Sequence, residues 1–330
     1  MKGNSVITLL IFTVVLAMSS CKKDSDVFIP DPTLTQGPDT TWLNTLSDST
    51  PARRLLASIA PAVYVDSFEV NNSPVTITST DGLTCVFPPL CCVTPNGVPV
   101  TGKVYVQLLL IRKRGDMIAA DKPTISNGRL LVSGGEIFVK LIRNGDELRL
   151  APGKTIVLKY NDPQPVPGMR LFYGDETNPN RFNWIPADSL GLGTQNVTVG
   201  NNFYQLVSAQ VRWINCDAFA DTAGISRVQV MASFSPIYTN VNTVCYLVFN
   251  NKRSVLGMYG NAVTKKFQTG LVPVGEPVTL VAISKLGDQY FMGKQVFVTG
   301  QNNAVVNQQI INVAPLPTTL PDIKAYLGTL

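Results

Sequence analysis

Histidine is absent from all 330 residues of this chain, and that omission excludes more chemistry than any motif present supplies. Without imidazole there is no Ser-His or Cys-His dyad, no His-ligated metal and no imidazole base. α/β-Hydrolase esterases, papain-like proteases and HExxH metalloproteases drop out together. Charge is sparse as well: Asp, Glu, Lys and Arg make up 15% of the residues, for a formal net charge of +5. No long basic block exists to track a nucleic acid. The nearest approach, Arg112-Lys113-Arg114, reads as the solvated end of a strand. Cys-x2-Cys metal pairs and EF-hand DxDxDG spacing are also missing, so no cofactor or metal is expected. Ser133-Gly134-Gly135 is no phosphate loop, because neither Lys-Ser/Thr nor a helix pattern follows it.

What the chain does carry begins at its first residues. Lys2 precedes an apolar run, Val6 to Met18, broken only by Thr8 and Thr13. The run falls short of the roughly 20 apolar residues that span a bilayer. Ser19 and Ser20 then lead straight into Cys21. A short apolar segment with small residues before a cysteine is the pattern of a bacterial lipoprotein signal, so 1–20 reads as a cleaved signal peptide. Cys21 is then the lipidation site. Each buried acyl methylene contributes about 0.8 kcal/mol, so two or more chains hold a protein firmly to a membrane. Since 1–20 contains one lysine and no acid, the remainder carries 5 − 1 = +4.

Residues 21–50 read as a tether, polar and rich in Pro, Thr and Asp with no regular period. Thr50 and Pro51 then look like the N-cap and first position of a two-turn helix over ARRLLASIA. From about Val63 the pattern is almost wholly β. KVYVQLLLI (Lys103 to Ile111) is apolar on both faces and suits a central strand, whereas EIFVKLI (Glu136 to Ile142) alternates. Asn144-Gly145, Asn96-Gly97 and Gly287-Asp288 mark hairpins. Strands about ten residues apart, separated by Gly, Pro and Asn, predict an all-β chain of tandem β-sandwich modules, immunoglobulin-like or transthyretin-like. The expected boundaries are a first sandwich over 51–160 with its leading helix, a β-rich middle section over 161–224, a C-terminal sandwich over 225–315 and a tail over 316–330. A Pro-rich break, NDPQPVPG, closes the first module.

Several separated motifs occur in one order: the SCKKDSD junction, DGLTCVFPPLCC, GVPVTGKVYVQLLLIRKRGDMI, KPTISNGRLLVSGGEIFVKLIRNGDELRLAPGK and WINCDAF. In this the chain resembles uncharacterised surface lipoproteins of the Bacteroidota. The segment from Gly82 to Lys154 is distantly similar to ZU5-type β-sandwich modules. These resemblances imply an envelope location and β architecture, with no catalytic residues to carry over. Lys23-Asp24 before Asp26 partly matches the export signal of such lipoproteins, which favours the outer face of the outer membrane over its periplasmic face.

Three groups of residues remain as chemical candidates. Cys85, Cys91, Cys92, Cys216 and Cys245 are possible disulfide partners: Cys85 with Cys91 or Cys92, and Cys216 with Cys245. Asp116, Asp121, Glu136, Asp175, Glu176, Asp217 and Asp221 are the acids from which a glycosidase pair would be drawn. Trp184, Phe203, Tyr204 and Trp213 form either a stacking patch for a partner or part of a sandwich core. The resulting expectation is a lipid-anchored, non-enzymatic envelope protein that binds a protein or glycan partner or serves as a structural component. One alternative is an accessory subunit of an outer-membrane assembly facing the periplasm. Another is a carboxylate-dependent glycan hydrolase.

Overall fold

Alternating aliphatic residues favour strand throughout the chain beyond Tyr64, and half of the chain is β against a tenth helix. The computed structural model describes residues 39–178, 180–192, 196–220, 222, 224–300, 304–305 and 307–330. Cys21, the 1–20 segment and most of the expected tether lie outside the described residues, as does Asp221. Thr40–Leu330 makes one compact unit. Strands and helices are numbered along the chain.

Two sheets enclose the first core. One runs in the order β1 (Tyr64–Val70), β5 (Gly102–Ile111), β7 (Arg129–Arg143), β15 (Arg212–Phe219), β11 (Arg170–Asp175), β12 (Asn183–Pro186). Short strands β6 (Ile125–Ser126) and β8 (Asp146–Glu147) attach to β7. The other runs β13 (Asn196–Val199), β14 (Phe203–Ser208), β10 (Ile156–Asn161), β3 (Thr84–Phe87), β2 (Val75–Thr78). A small ladder pairs β4 (Cys92–Val93) with β9 (Arg149–Leu150). Inward residues of both larger sheets, among them Phe87, Val106, Ile137, Leu158 and Ile214, share one core.

The stretch 161–224, expected as a section of its own, supplies strands to both sheets. β11, β12 and β15 join the first sheet, and β13 and β14 join the second. β10 ends at Asn161, where the Pro-rich break begins, and pairs along its whole length with β14. The prolines therefore mark a loop within a sheet pair, because the loop only interrupts a chain whose hydrogen-bond partners lie on its far side.

A third sheet of nine strands is ordered β22 (Ala304–Val305), β23 (Gln308–Asn312), β16 (Arg227–Ser233), β19 (Lys266–Pro273), β18 (Val255–Asn261), β17 (Thr243–Phe249), β20 (Pro277–Leu286), β21 (Gln289–Val298), β24 (Leu316–Thr318). Its pairs are antiparallel except β16 with β23. β18 joins two halves of this sheet: Val255–Met258 pair with β17, while Tyr259–Asn261 pair with β19. Residues of both halves, such as Val230 and Leu280, then meet in one core.

A separate apolar cluster binds the sheets to each other. Outward residues of β5 (Leu109, Ile111), β17 (Tyr246, Val248) and β20 (Val281, Ile283) converge on helices α1 (Pro51–Ile59), α2 (Arg114–Ala119) and α3 (Leu320–Gly328). This explains why KVYVQLLLI is apolar on both faces: one face fills the first core and the other this seam. α1 buries Ala52, Leu55, Leu56 and Ile59 at helical spacing. Its Thr50 hydroxyl donates to the Ser47 carbonyl rather than capping the helix. The expected tail holds β24 and α3, whose N-cap Thr319 accepts from the Asp322 amide. The end of the expected tether is held as well: Trp42 packs on Phe267 with ring centres 5.1 Å apart, and Leu43 exchanges two hydrogen bonds with the Asn240 amide.

α2 and α3 touch backbone to backbone. A Cβ built on Gly115 would lie 1.8 Å from the Leu327 carbonyl oxygen. Gly115→Ala must therefore push α3 away and open the seam. The expected loss is about 2–4 kcal/mol, measured by denaturant unfolding, with Gly270→Ala, at an open position without positive φ, as the comparison for glycine replacement itself.

Candidate functional site

The Ser133-Gly134-Gly135 run is a β-bulge. Opposite it, Cys216 faces Gly135 while Asp217 faces Ser133, so Gly134 is the extra residue. Only glycine fits at both positions. A Cβ on Gly134 would sit 2.8 Å from the Cys216 carbonyl, and one on Gly135, at φ 153°, would sit 2.9 Å from the Tyr160 hydroxyl. The slip of one residue places Ser133 and Glu136 on the same face of β7. There they meet Asn215 and Asp217 of β15, and the Ser133 amide donates to the Arg253 carbonyl in the β17–β18 turn.

Glu136, Ser133, Asn215 and Asp217 are all fully buried. Asn215 Nδ2 donates to Asp217 Oδ2 at 2.6 Å, whereas Asp217 Oδ1 and both carboxylate oxygens of Glu136 have no hydrogen-bond partner. Burial raises the pKa of Asp217 from an ordinary 3.8 to about 7, against the opposing pull of Ser133, Asn215 and Arg253. Burial also pushes Glu136 well above the usual carboxylate range; the Asp217 charge adds to this and Lys122 counters it. Desolvation of a carboxylate favours its neutral form, so this pair holds protons that free acids would release.

Lys122 caps the cluster. Its ammonium lies 4.4 Å from the Phe182 ring centre, 4.9 Å from that of Trp213 and 3.8 Å from Glu176. An ion-pair chain leads on to solvent: Glu176 to Arg212 at 2.6 Å, Arg212 to Glu147 at 2.7 Å, and Glu147 to Lys140 at 3.3 Å. On the far side Arg253 pairs with Asp162 at 2.7 Å. The remaining candidate acids are separated. Asp121 accepts from Arg53 and from the Tyr246 hydroxyl, and Asp175 accepts from the amide and hydroxyl of Thr177. Asp116 lies in the first turn of α2. The two acids that do come together, Glu136 and Asp217, present no surface to a substrate.

The five cysteines within the described residues are all buried and unbridged. Cys85, Cys91, Cys92 and Cys216 lie in the first core and Cys245 in the third-sheet core, so the expected Cys216–Cys245 link would have to cross between two separate interiors. Cys91 and Cys92 are chain neighbours whose sulfurs stand 3.1 Å apart, and Cys85 pairs with neither. The aromatic group divides too. Trp184 and Tyr204 are fully buried, with Trp184 Nε1 donating to the Pro123 carbonyl. Trp213 forms the wall around Lys122 rather than an open platform.

Sequence reasoning missed an open groove of about 480 Å³ between the 175–183 loop and the β16–β19–β18 surface. It is lined by Asp175, Asn178, Asn183, Gln229, Gln268 and Tyr259, with the Arg181 guanidinium 4.9 Å above the Tyr259 ring. Asn178, Asn183, Gln229 and Gln268 bring side-chain amides to it, Ile125 and Phe182 add apolar surface, and Thr177 hydrogen bonds hold the Asp175 carboxyl below its ordinary pKa. Asn and Gln carry both donors and acceptors, so this lining suits a polar, uncharged ligand rich in hydroxyls. The lining residues come from distant parts of the chain, and no local pattern marks them in advance. No protein-family model matches this chain, and no curated protein is significantly similar to it.

The interior acids make a pH prediction with a fixed sign. A folded-state pKa raised above its unfolded value destabilises the fold as pH climbs between the two. For Asp217 that window runs from about pH 4 to about pH 7. Asp217→Asn should gain thermal stability relative to the unsubstituted protein across that window and hold the gain above it, as read by unfolding midpoints at stepped pH. A constant difference at every pH would show that Asp217 does not bind its proton more tightly in the folded state.

Proposed function

We propose that this chain is a lipid-anchored, non-enzymatic envelope protein of the Bacteroidota lipoprotein type that binds a glycan through the 175–183 groove. The observation that carries this reading is the groove's lining of amides, one carboxylate and a tyrosine ring. Sugars offer closely spaced hydroxyls that pair with planar amides, carboxylates and guanidinium groups. The interior position of Glu136 and Asp217 favours binding over hydrolysis, since a glycosidase needs both carboxyls against its substrate.

The two sheet assemblies are read as sandwiches of immunoglobulin-like or transthyretin-like kind, standing on a tether from Cys21. In that arrangement the acyl chains on Cys21 fix the protein to the outer membrane. The partial Lys23-Asp24 signal favours the cell surface over the periplasmic face.

Two experiments test these claims. Neutral oligosaccharides screened against the full chain should yield a binder whose affinity drops about fivefold to tenfold in each of Asp175→Asn and Gln268→Ala, the loss expected for one hydrogen bond. Absence of any binder of the unsubstituted chain, or binding by both variants at the unsubstituted affinity, overturns the glycan assignment. In cells fed a labelled fatty acid, Cys21→Ser should abolish incorporation and release the protein from the membrane fraction. Continued membrane association without label would remove the anchor from this account.

A further inference from the structure

A second cleft, of about 660 Å³, opens at the other end of the seam, where the β5–α2 junction meets the β17–β18 turn. Five cations line it: Arg112, Lys113 and Arg114 from the junction, and Lys252 and Arg253 from the turn. The sequence alone makes the first three a solvated strand end; the fold brings the other two against them. Like charges repel one another, so such a grouping has to be neutralised or left as a positive well.

Neutralisation is incomplete. Asp162, the single acid among the lining residues, pairs with Arg253 at 2.7 Å and accepts from the Gln164 amide at 2.9 Å. Lys252 pairs with Glu276 at 2.6 Å. Arg112 and Arg114 are held by main-chain oxygens instead: Arg112 by Asn161 at 2.7 Å, and Arg114 by Phe249 at 2.6 Å, Asn250 at 2.9 Å and Leu330 at 2.9 Å. The Asn161 carbonyl orients the Arg112 guanidinium without matching its full charge. Lys113 is exposed and makes no ion pair among the described residues. The Gln164, Asn250 and Asn251 side chains add neutral polar groups around the same opening.

We propose that this cleft is an oxyanion site that takes a phosphate group, with Arg112 and Lys113 as its principal ligands and Arg114 as the fixed wall behind them. A guanidinium fork and an ammonium on adjacent residues supply charge-assisted bonds to a tetrahedral anion. The site is separate from the amide-lined groove and its ligand is of opposite character. The phosphate comes either from a membrane headgroup or from a soluble phosphorylated molecule.

The test uses the full chain and two probes. Inorganic phosphate, titrated at constant ionic strength against chloride, should raise the unfolding midpoint of the unsubstituted protein. The apparent affinity should fall at least about tenfold in the double variant Arg112→Gln/Lys113→Gln. Lys265→Gln/Lys266→Gln, which removes the same charge from a distant hairpin, should respond as the unsubstituted protein does. In parallel, vesicles of phosphatidylglycerol and of phosphatidylcholine are compared by flotation. A preference for phosphatidylglycerol that is lost with Arg112 and Lys113 assigns the phosphate to a headgroup. A phosphate response without that preference assigns it to a soluble molecule. No phosphate-dependent shift, or equal losses in both double variants, overturns the site.

Discussion

The contact between Gly115 of α2 and Leu327 of α3 holds the architecture together. Each of the two sheet assemblies fills a core of its own, but each also has an outer face made of Leu, Ile, Val and Tyr that water would penalise. Leu109 and Ile111 on one side and Tyr246, Val248, Val281 and Ile283 on the other are covered only because three short helices wedge between them. Helices of six to nine residues have no stability of their own. They persist because the seam buries their apolar sides, and the seam closes because the helices approach without a side chain at Gly115. Helix and sheet stability are thus one cooperative quantity here.

The same closure accounts for the protein's unusual electrostatics. A β-bulge at Gly134 turns Ser133 and Glu136 to one side of β7, and the third sheet then seals them from water together with Asn215 and Asp217. Two carboxyls with few partners are costly in such a place. Lys122, steadied between Phe182 and Trp213, and Arg253, steadied by Asp162, stand at opposite ends of the group. Ion pairs on the outer surface contribute little individually, but the chain through Glu176, Arg212 and Glu147 anchors Lys122 over the buried acids. Glu136 and Asp217 are thus interior groups, while the amide-containing groove and the basic cleft open to solvent.

Legibility in the sequence followed the range of the interactions. Period-two alternation identified the strands, and Asn144-Gly145 and Gly287-Asp288 became two-residue hairpin turns between paired neighbours. The helix after Pro51 stands where Thr50-Pro51 placed it. The Pro-rich 161–168 stretch misled, because a proline cluster says that the ladder stops and not which strand resumes it. Trp42 and the 316–330 segment were assigned to a tether and a tail because nothing local shows that a distant Phe267 or Gly115 waits to receive them. Glu136 and Asp217 were among the acids named in advance, but their meeting depends on one extra residue in a bulge.

What the sequence by itself determined is what local chemistry can decide: a mostly β chain, no imidazole chemistry, and strands and turns in their order. Tertiary structure alone decided which strands share a sheet, that Cys245 lies in a different core from the other four described cysteines, that two acids are buried side by side, and that Arg112 and Lys113 line one cleft with Lys252 and Arg253. The physical reason is common to all of these. Alternation and turn propensity act over a few residues, whereas burial, charge pairing and cleft formation join residues as many as 216 positions apart, and these follow only once the sheets have closed around their cores.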